Sequence, residues 1–115
     1  MVGDRTLEGL GHALFALGLR LEAISENLAN VNTPGYRRKD VFFRQELGRF
    51  FREGGSFRPR ISYPGPGITR LDRSEVELDR EMVALAETAL LYEALVQEAV
   101  FKLRSLRTAI TEGRK

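Results

Sequence analysis

The chain has 115 residues, 43% hydrophobic and 30% charged, with 18 basic side chains against 16 acidic ones and a formal net charge of +2. That is length for one small domain, too apolar for a disordered segment and too evenly charged for a dedicated nucleic-acid binder. There is no cysteine, which excludes a disulfide framework and a thiolate metal site.

No apolar run approaches the length needed to span a bilayer. The N-terminal stretch carries Asp4 and Glu8, and its apolar residues are spaced rather than continuous. It lacks the pattern of a cleaved secretory signal, so a route out of the cytoplasm would have to do without one.

The first thirty residues place Leu7, Leu10, Leu14, Leu17, Leu21, Ile24, Leu28 and Val31 at alternating steps of three and four. That spacing predicts a helix with one narrow apolar seam, capped at Asp4, running to about Asn30 and roughly 40 Å long. Gly9, Gly11 and Gly18 lie within it, each costing about 1 kcal/mol relative to alanine.

The middle, Thr33 to Arg73, breaks that pattern. Pro34-Gly35 suits the central positions of a type II turn. Phe43, Leu47, Phe50 and Phe51 predict a short amphipathic helix over about Phe42–Arg52. The glycines and prolines from Gly54 to Gly67 read as an extended or mobile loop. Ten lysines and arginines fall between Thr33 and Glu75, against five acidic residues.

The last third repeats the seam with Leu78, Met82, Leu85, Ala89, Tyr92, Val96, Ala99, Leu103, Leu106 and Ile110. Ser74 and Glu77 have capping-box spacing, acidic residues gather at the start, and Gly113 suits the end. The expected helix is about 54 Å long. The fold class is therefore mainly α. Two long terminal helices pair in a coiled-coil-like manner, joined by a turn, a short helix and a Gly/Pro-rich basic loop. One domain spans 1–115, divided into core helix 1–32, connector 33–74 and core helix 75–115. The glycines of the first helix and the small seam residues Ala89 and Ala99 make the pair marginal alone and firmer inside a larger assembly.

Residues suited to chemistry are scarce. His12 is the single histidine, with Glu8 one turn away, and is read as structural or surface. There is no P-loop, and no cofactor, metal or catalytic residues are expected, so an enzyme is disfavoured. Tyr36-Arg37-Arg38-Lys39 followed by Phe42-Phe43 interleaves aromatic and basic residues, as single-strand binders do, although a charged connector would look the same. A cytoplasmic helical-hairpin adaptor or nucleic-acid-binding module is the competing class.

Asn27-Leu28-Ala29-Asn30-Val31-Asn32-Thr33-Pro34-Gly35-Tyr36 is less generic. Helix termination explains each residue type separately, with asparagine ending the helix and Pro34-Gly35 turning the chain. It does not explain their occurrence together. The stretch closely resembles the N-terminal signature of the flagellar rod and hook axial protein family. Val76 to Ile110, with Leu78-Asp79-Arg80-Glu81-Met82 as its specific part, resembles the C-terminal helix of that family's short proximal-rod members. The middle is poorly matched, and the glycine-asparagine pair expected before the last helix appears as Arg73-Ser74.

The resemblance implies a non-enzymatic structural subunit of the proximal rod, exported through the flagellar type III apparatus. It would assemble helically with copies of itself, with the second short proximal-rod protein, with further rod subunits and with the base-ring adaptor. It also implies that Asn27, Asn30, Asn32, Thr33, Pro34, Gly35 and Tyr36 set the end of the first helix. Assembly packing would fall to Leu14, Leu17, Leu21, Ile24 and Leu28 on that helix. On the other it would fall to Leu78, Met82, Leu85, Tyr92, Val96, Leu103 and Leu106.

Overall fold

In a computed structural model, which describes residues 2–64 and 71–113, the chain forms α1 (Val2–Ala29), β1 (Asp40–Phe42), α2 (Arg44–Glu53), β2 (Arg60–Ser62) and α3 (Leu71–Gly113). The 43 residues of α3 account for the long dimension of the molecule. At about 1.5 Å per residue they span roughly 64 Å, and the principal extents are 67 × 25 × 14 Å.

Helices α1 and α3 run antiparallel. Asn27, near the end of α1, meets Glu81 near the start of α3, while Ala16 and Leu17 pack in the cluster that takes up Tyr92 and Leu95. Helix α1 is the central element, because α3 covers one side of it and α2 with β1 covers another. This two-sided cover buries Leu10, Ala13, Ala16, Leu17, Ala23, Ile24 and Asn27. Leu14, Leu21 and Leu28 lie at the margin and stay half-exposed.

Helix α3 is covered along one stripe. Glu81 and Thr88 are buried, with Leu85, Tyr92, Leu95 and Ala99 half-buried beside them. The expected seam is therefore rotated partly outward. Leu78, Met82, Val96, Leu103 and Leu106 remain exposed, Met82 at 57% and Leu103 at 56%.

Three local expectations are corrected. Asp4 lies inside α1, which begins at Val2, so it does not cap the helix. Ser74 lies inside α3, which begins at Leu71, so Ser74 and Glu77 do not form the box at its start. The segment expected to be a loop after Gly54 contains β2, paired antiparallel with β1 in the register Val41↔Ile61, while Gly65 and the rest of that expected loop lie outside the described residues. Three-residue strands carry too little periodicity to show in sequence.

The short amphipathic helix falls close to its expected place. Phe50 is buried beneath α2, and His12 of α1 lies edge-on to Phe50 at 4.7 Å and stacked on Phe57 at 4.9 Å. His12 thus joins an aromatic cluster that seats α2 on α1. Gly9 belongs to the same contact, since a Cβ there would overlap the Phe51 ring.

Candidate functional site

The densest polar construction among the described residues lies where α1 ends. The last turn unwinds through two successive reverse turns. Thr33 N–H donates to the Asn30 carbonyl at 2.9 Å, and Tyr36 N–H donates to the Thr33 carbonyl at 3.2 Å. Pro34 and Gly35 are central in the second turn, and Gly35 has φ +76°. Proline followed by a left-handed glycine is the type II arrangement expected from the sequence.

Asn27 organises the return of the chain. Its side-chain Nδ2 donates to the Lys39 carbonyl at 2.8 Å, and its Oδ1 accepts from the Lys39 N–H at 2.9 Å. The amide thereby pairs with a backbone residue as a neighbouring strand would. The same Oδ1 accepts from the Tyr36 hydroxyl at 3.1 Å, and Nδ2 also reaches Glu81 Oε1 at 3.4 Å. Asparagine suits this position because one planar group supplies both donor and acceptor. Asn27 is 4% exposed, so its bonds form largely away from water.

Glu81 joins this corner to α3. It is 2% exposed and receives Arg38 Nε, while Arg38 also approaches Asp40 at 3.9 Å. Burial opposes the charge of Arg38, but its hydrogen bond and charge pairing with Glu81 outweigh that, leaving its pKa raised. Among the described residues, Glu81 Oε2 is buried without a hydrogen-bond partner. Lys39 pairs with Glu26, which raises the pKa of Lys39 chiefly through that hydrogen bond. Burial raises the pKa of Tyr36. Arg37 lies 5.4 Å from the centre of the Tyr63 ring and donates to the Tyr63 carbonyl at 3.4 Å.

Of the turn residues expected to matter, Asn27, Asn30, Thr33 and Tyr36 are brought together by side-chain bonds. Asn30 donates to the Glu26 carbonyl at 2.9 Å, and its Oδ1 accepts from the Thr33 hydroxyl at 3.2 Å. Pro34 and Gly35 contribute backbone shape. Asn32 is exposed and lies apart from these side-chain bonds. The basic run Arg37-Arg38-Lys39 is engaged inside the chain and does not form a free patch.

Sequence reasoning missed Glu81 and Arg38. Glu81 stands beside the apolar seam position Met82 and looks solvated by pattern. Its partner is 43 positions away, and no local signal marks a pair of that separation. The corner has the character of a structural lock, since its polar groups are turned on one another. Among the described residues there is no group of three or more metal-ligating side chains, and no helix is long and apolar enough to cross a membrane.

Comparison with known proteins agrees with this character. The profile of the family described as Flagella basal body rod protein matches residues 10–37, the last two-thirds of α1 and the turn that follows. The "Flagellar basal body rod protein FlgB" of Bacillus subtilis (strain 168) is 30% identical over 123 aligned positions, covering 95% of each chain. The FlgB protein of Aquifex aeolicus (strain VF5) is 27% identical over 79% of this chain and 81% of its own. That of Escherichia coli (strain K12) is 24% identical over 96% of both. With such a likeness spanning nearly the whole of both sequences, this chain belongs to the flagellar basal body rod protein family.

Proposed function

We propose that the chain is a structural subunit of the proximal rod of the bacterial flagellar basal body, built into the axis through α1 and α3. The observation that carries this reading is the near full-length likeness to proteins named as basal body rod subunits. Those relatives bear the FlgB name, which favours a FlgB-type subunit over FlgC, the other short rod protein. The unpaired face of α3 supports the same reading. Leu78, Met82, Leu103 and Ile110 fall on one side of the helix and are all exposed in the single chain, and so much apolar surface on one side marks a face used for association.

The subunit assembles with other basal-body components. Its neighbours are copies of itself, FlgC, further rod proteins and the adaptor FliE, and it reaches the periplasmic rod through the flagellar type III apparatus. The contacts are heterologous, so they propagate along the axis. The work of the protein is geometric: it holds shape and transmits load, and it makes or breaks no bond in a substrate.

The test uses seam positions exposed in the single chain. Met82→Asp and Leu103→Asp should leave the purified chain within about 0.5 kcal/mol of the parent, as exposed substitutions do. The same variants should abolish rod completion and swimming in cells. Normal swimming by both variants would count against a role for this seam in assembly.

A further inference from the structure

Charge is divided unevenly along the chain. Helices α1 and α3 hold thirteen acidic residues and seven basic ones, whereas the connecting segment 30–70 holds nine basic residues and three acidic ones. Some of that basic charge is consumed at the Asn27 corner, and some is not. A groove of about 610 Å3 lies between α1, β1, β2 and the start of α2. Arg20, Arg44 and Arg60 line it together with Asp40 and Glu46; the two acids are taken up by Arg38 and Arg49, whereas among the described residues the three guanidinium groups make no hydrogen bond or ion pair. Phe42 on its wall is 53% exposed. Helix α2 begins there, and Phe43 places no side chain over its first N–H groups, so the positive end of that helix adds to the field.

The outer face of α3 has the complementary character. At 100° per residue, Asp79, Glu87 and Glu98 share one arc with Leu90, Leu91 and Phe101, turned away from the stripe that α1 covers. All six are exposed, with Leu90 at 68% and Phe101 at 65%. The three carboxylates have no ion-pair partner among the described residues. One chain thus presents an arginine-lined groove with an aromatic wall and, on another element, an acidic apolar ridge.

We infer that the groove formed by Arg20, Arg44, Arg60 and Phe42 on one copy receives the Glu87–Glu98 face of α3 on a second copy. This rests on the rod-subunit reading and adds the connecting segment as an assembly surface distinct from the α1–α3 seams. Groove and ridge are different surfaces, so the contact is head-to-tail and builds a chain of subunits instead of a closed dimer. Guanidinium groups can hold carboxylates bidentately, which fixes register as well as supplying attraction.

The absence of native cysteine allows a direct test. Gln45 on the groove and Ala94 at the centre of the ridge are both exposed. Cells of the source organism would carry the chain as Gln45→Cys, as Ala94→Cys, or with both changes. Basal bodies would be isolated, oxidised with copper phenanthroline and run without reductant. The expected result is a ladder of multiples that needs both cysteines. The charge-reversal variant Arg44→Glu with Arg60→Glu should lose the ladder, and adding Glu87→Arg with Glu98→Arg should restore it.

Unmodified chain present in basal bodies, with no ladder from the double variant, would overturn this contact and leave the rod reading standing. Dimers from either single variant would show like meeting like and would also overturn it. Absence of the unmodified chain from basal bodies would overturn both.

Discussion

Replacing Asn27 with alanine is the sharpest test of the corner. The substitution removes both bonds to the Lys39 backbone, at 2.8 and 2.9 Å, and the Tyr36 bond at 3.1 Å. A net of about 1 kcal/mol for each of these three bonds gives a loss of about 3 kcal/mol. A domain of this size has roughly 5–15 kcal/mol in total, so the loss is a large share of it. The midpoint of thermal unfolding should fall by roughly 10–15 °C, at about 3–5 °C per kcal/mol for this length. Urea unfolding followed by far-ultraviolet circular dichroism measures the free energy directly.

Asn27→Asp sharpens the argument. It keeps the acceptor but turns an oxygen toward the Lys39 carbonyl and Glu81, so it should cost at least as much as alanine. If the alanine variant stays within about 0.5 kcal/mol of the parent, the range of ordinary surface changes, Asn27 does not hold the corner.

Four further outcomes follow from the same geometry. Arg38→Ala leaves the Glu81 carboxylate buried beside a lost partner and should cost about 2–3 kcal/mol, less than a fully buried pair because Arg38 is 38% exposed, whereas the double change Arg38→Met with Glu81→Leu should be close to neutral in urea unfolding. Gly11→Ala and Gly18→Ala meet open space and should each gain about 1 kcal/mol; Gly9→Ala must displace the Phe51 ring and should gain less, recovering the full gain in a Phe51→Ala background. Gly35→Val imposes a left-handed conformation on a β-branched residue and should cost about 1–2 kcal/mol, read by the same unfolding assay.

The fourth concerns alkaline pH. Tyr36 and Lys39 are held above their ordinary values of 10.0 and 10.5, the first by burial and the second by its bond to Glu26. Both bind their proton more tightly in the folded chain than in the unfolded one. Their contribution is therefore complete below those ordinary values and is lost as pH rises through the folded ones. Unfolding temperature should fall above about pH 10, and Tyr36→Phe should flatten part of that fall.

Much of this architecture was legible because long helices repeat their signal. Ten seam positions announce α3, and eight announce α1. The turn was legible because Pro34 and Gly35 each restrict the backbone in a known way. The face that each helix buries was less legible. Rotation of α3 places Glu81, not Met82, against the corner, and it depends on Arg38 and Asn27 arriving from another part of the chain. The strands escaped notice because three residues of alternation are indistinguishable from loop. The helix starts were misplaced because Asp4 and Ser74 are good caps in isolation, and the helices extend past them.

Charge showed the same division between local and distant information. The excess of arginine and lysine in the connector is visible in the sequence. Which cations are spent is not, since Arg38 and Lys39 find their acids on α3 and α1 while Arg44 and Arg60 find none among the described residues.

The most direct measurement is to purify hook–basal bodies from the source cells and identify their proteins by mass spectrometry. The account predicts that this chain co-purifies with the rod and stays with it through washing. Its absence from basal bodies, together with abundance in the cytosol, would contradict the account.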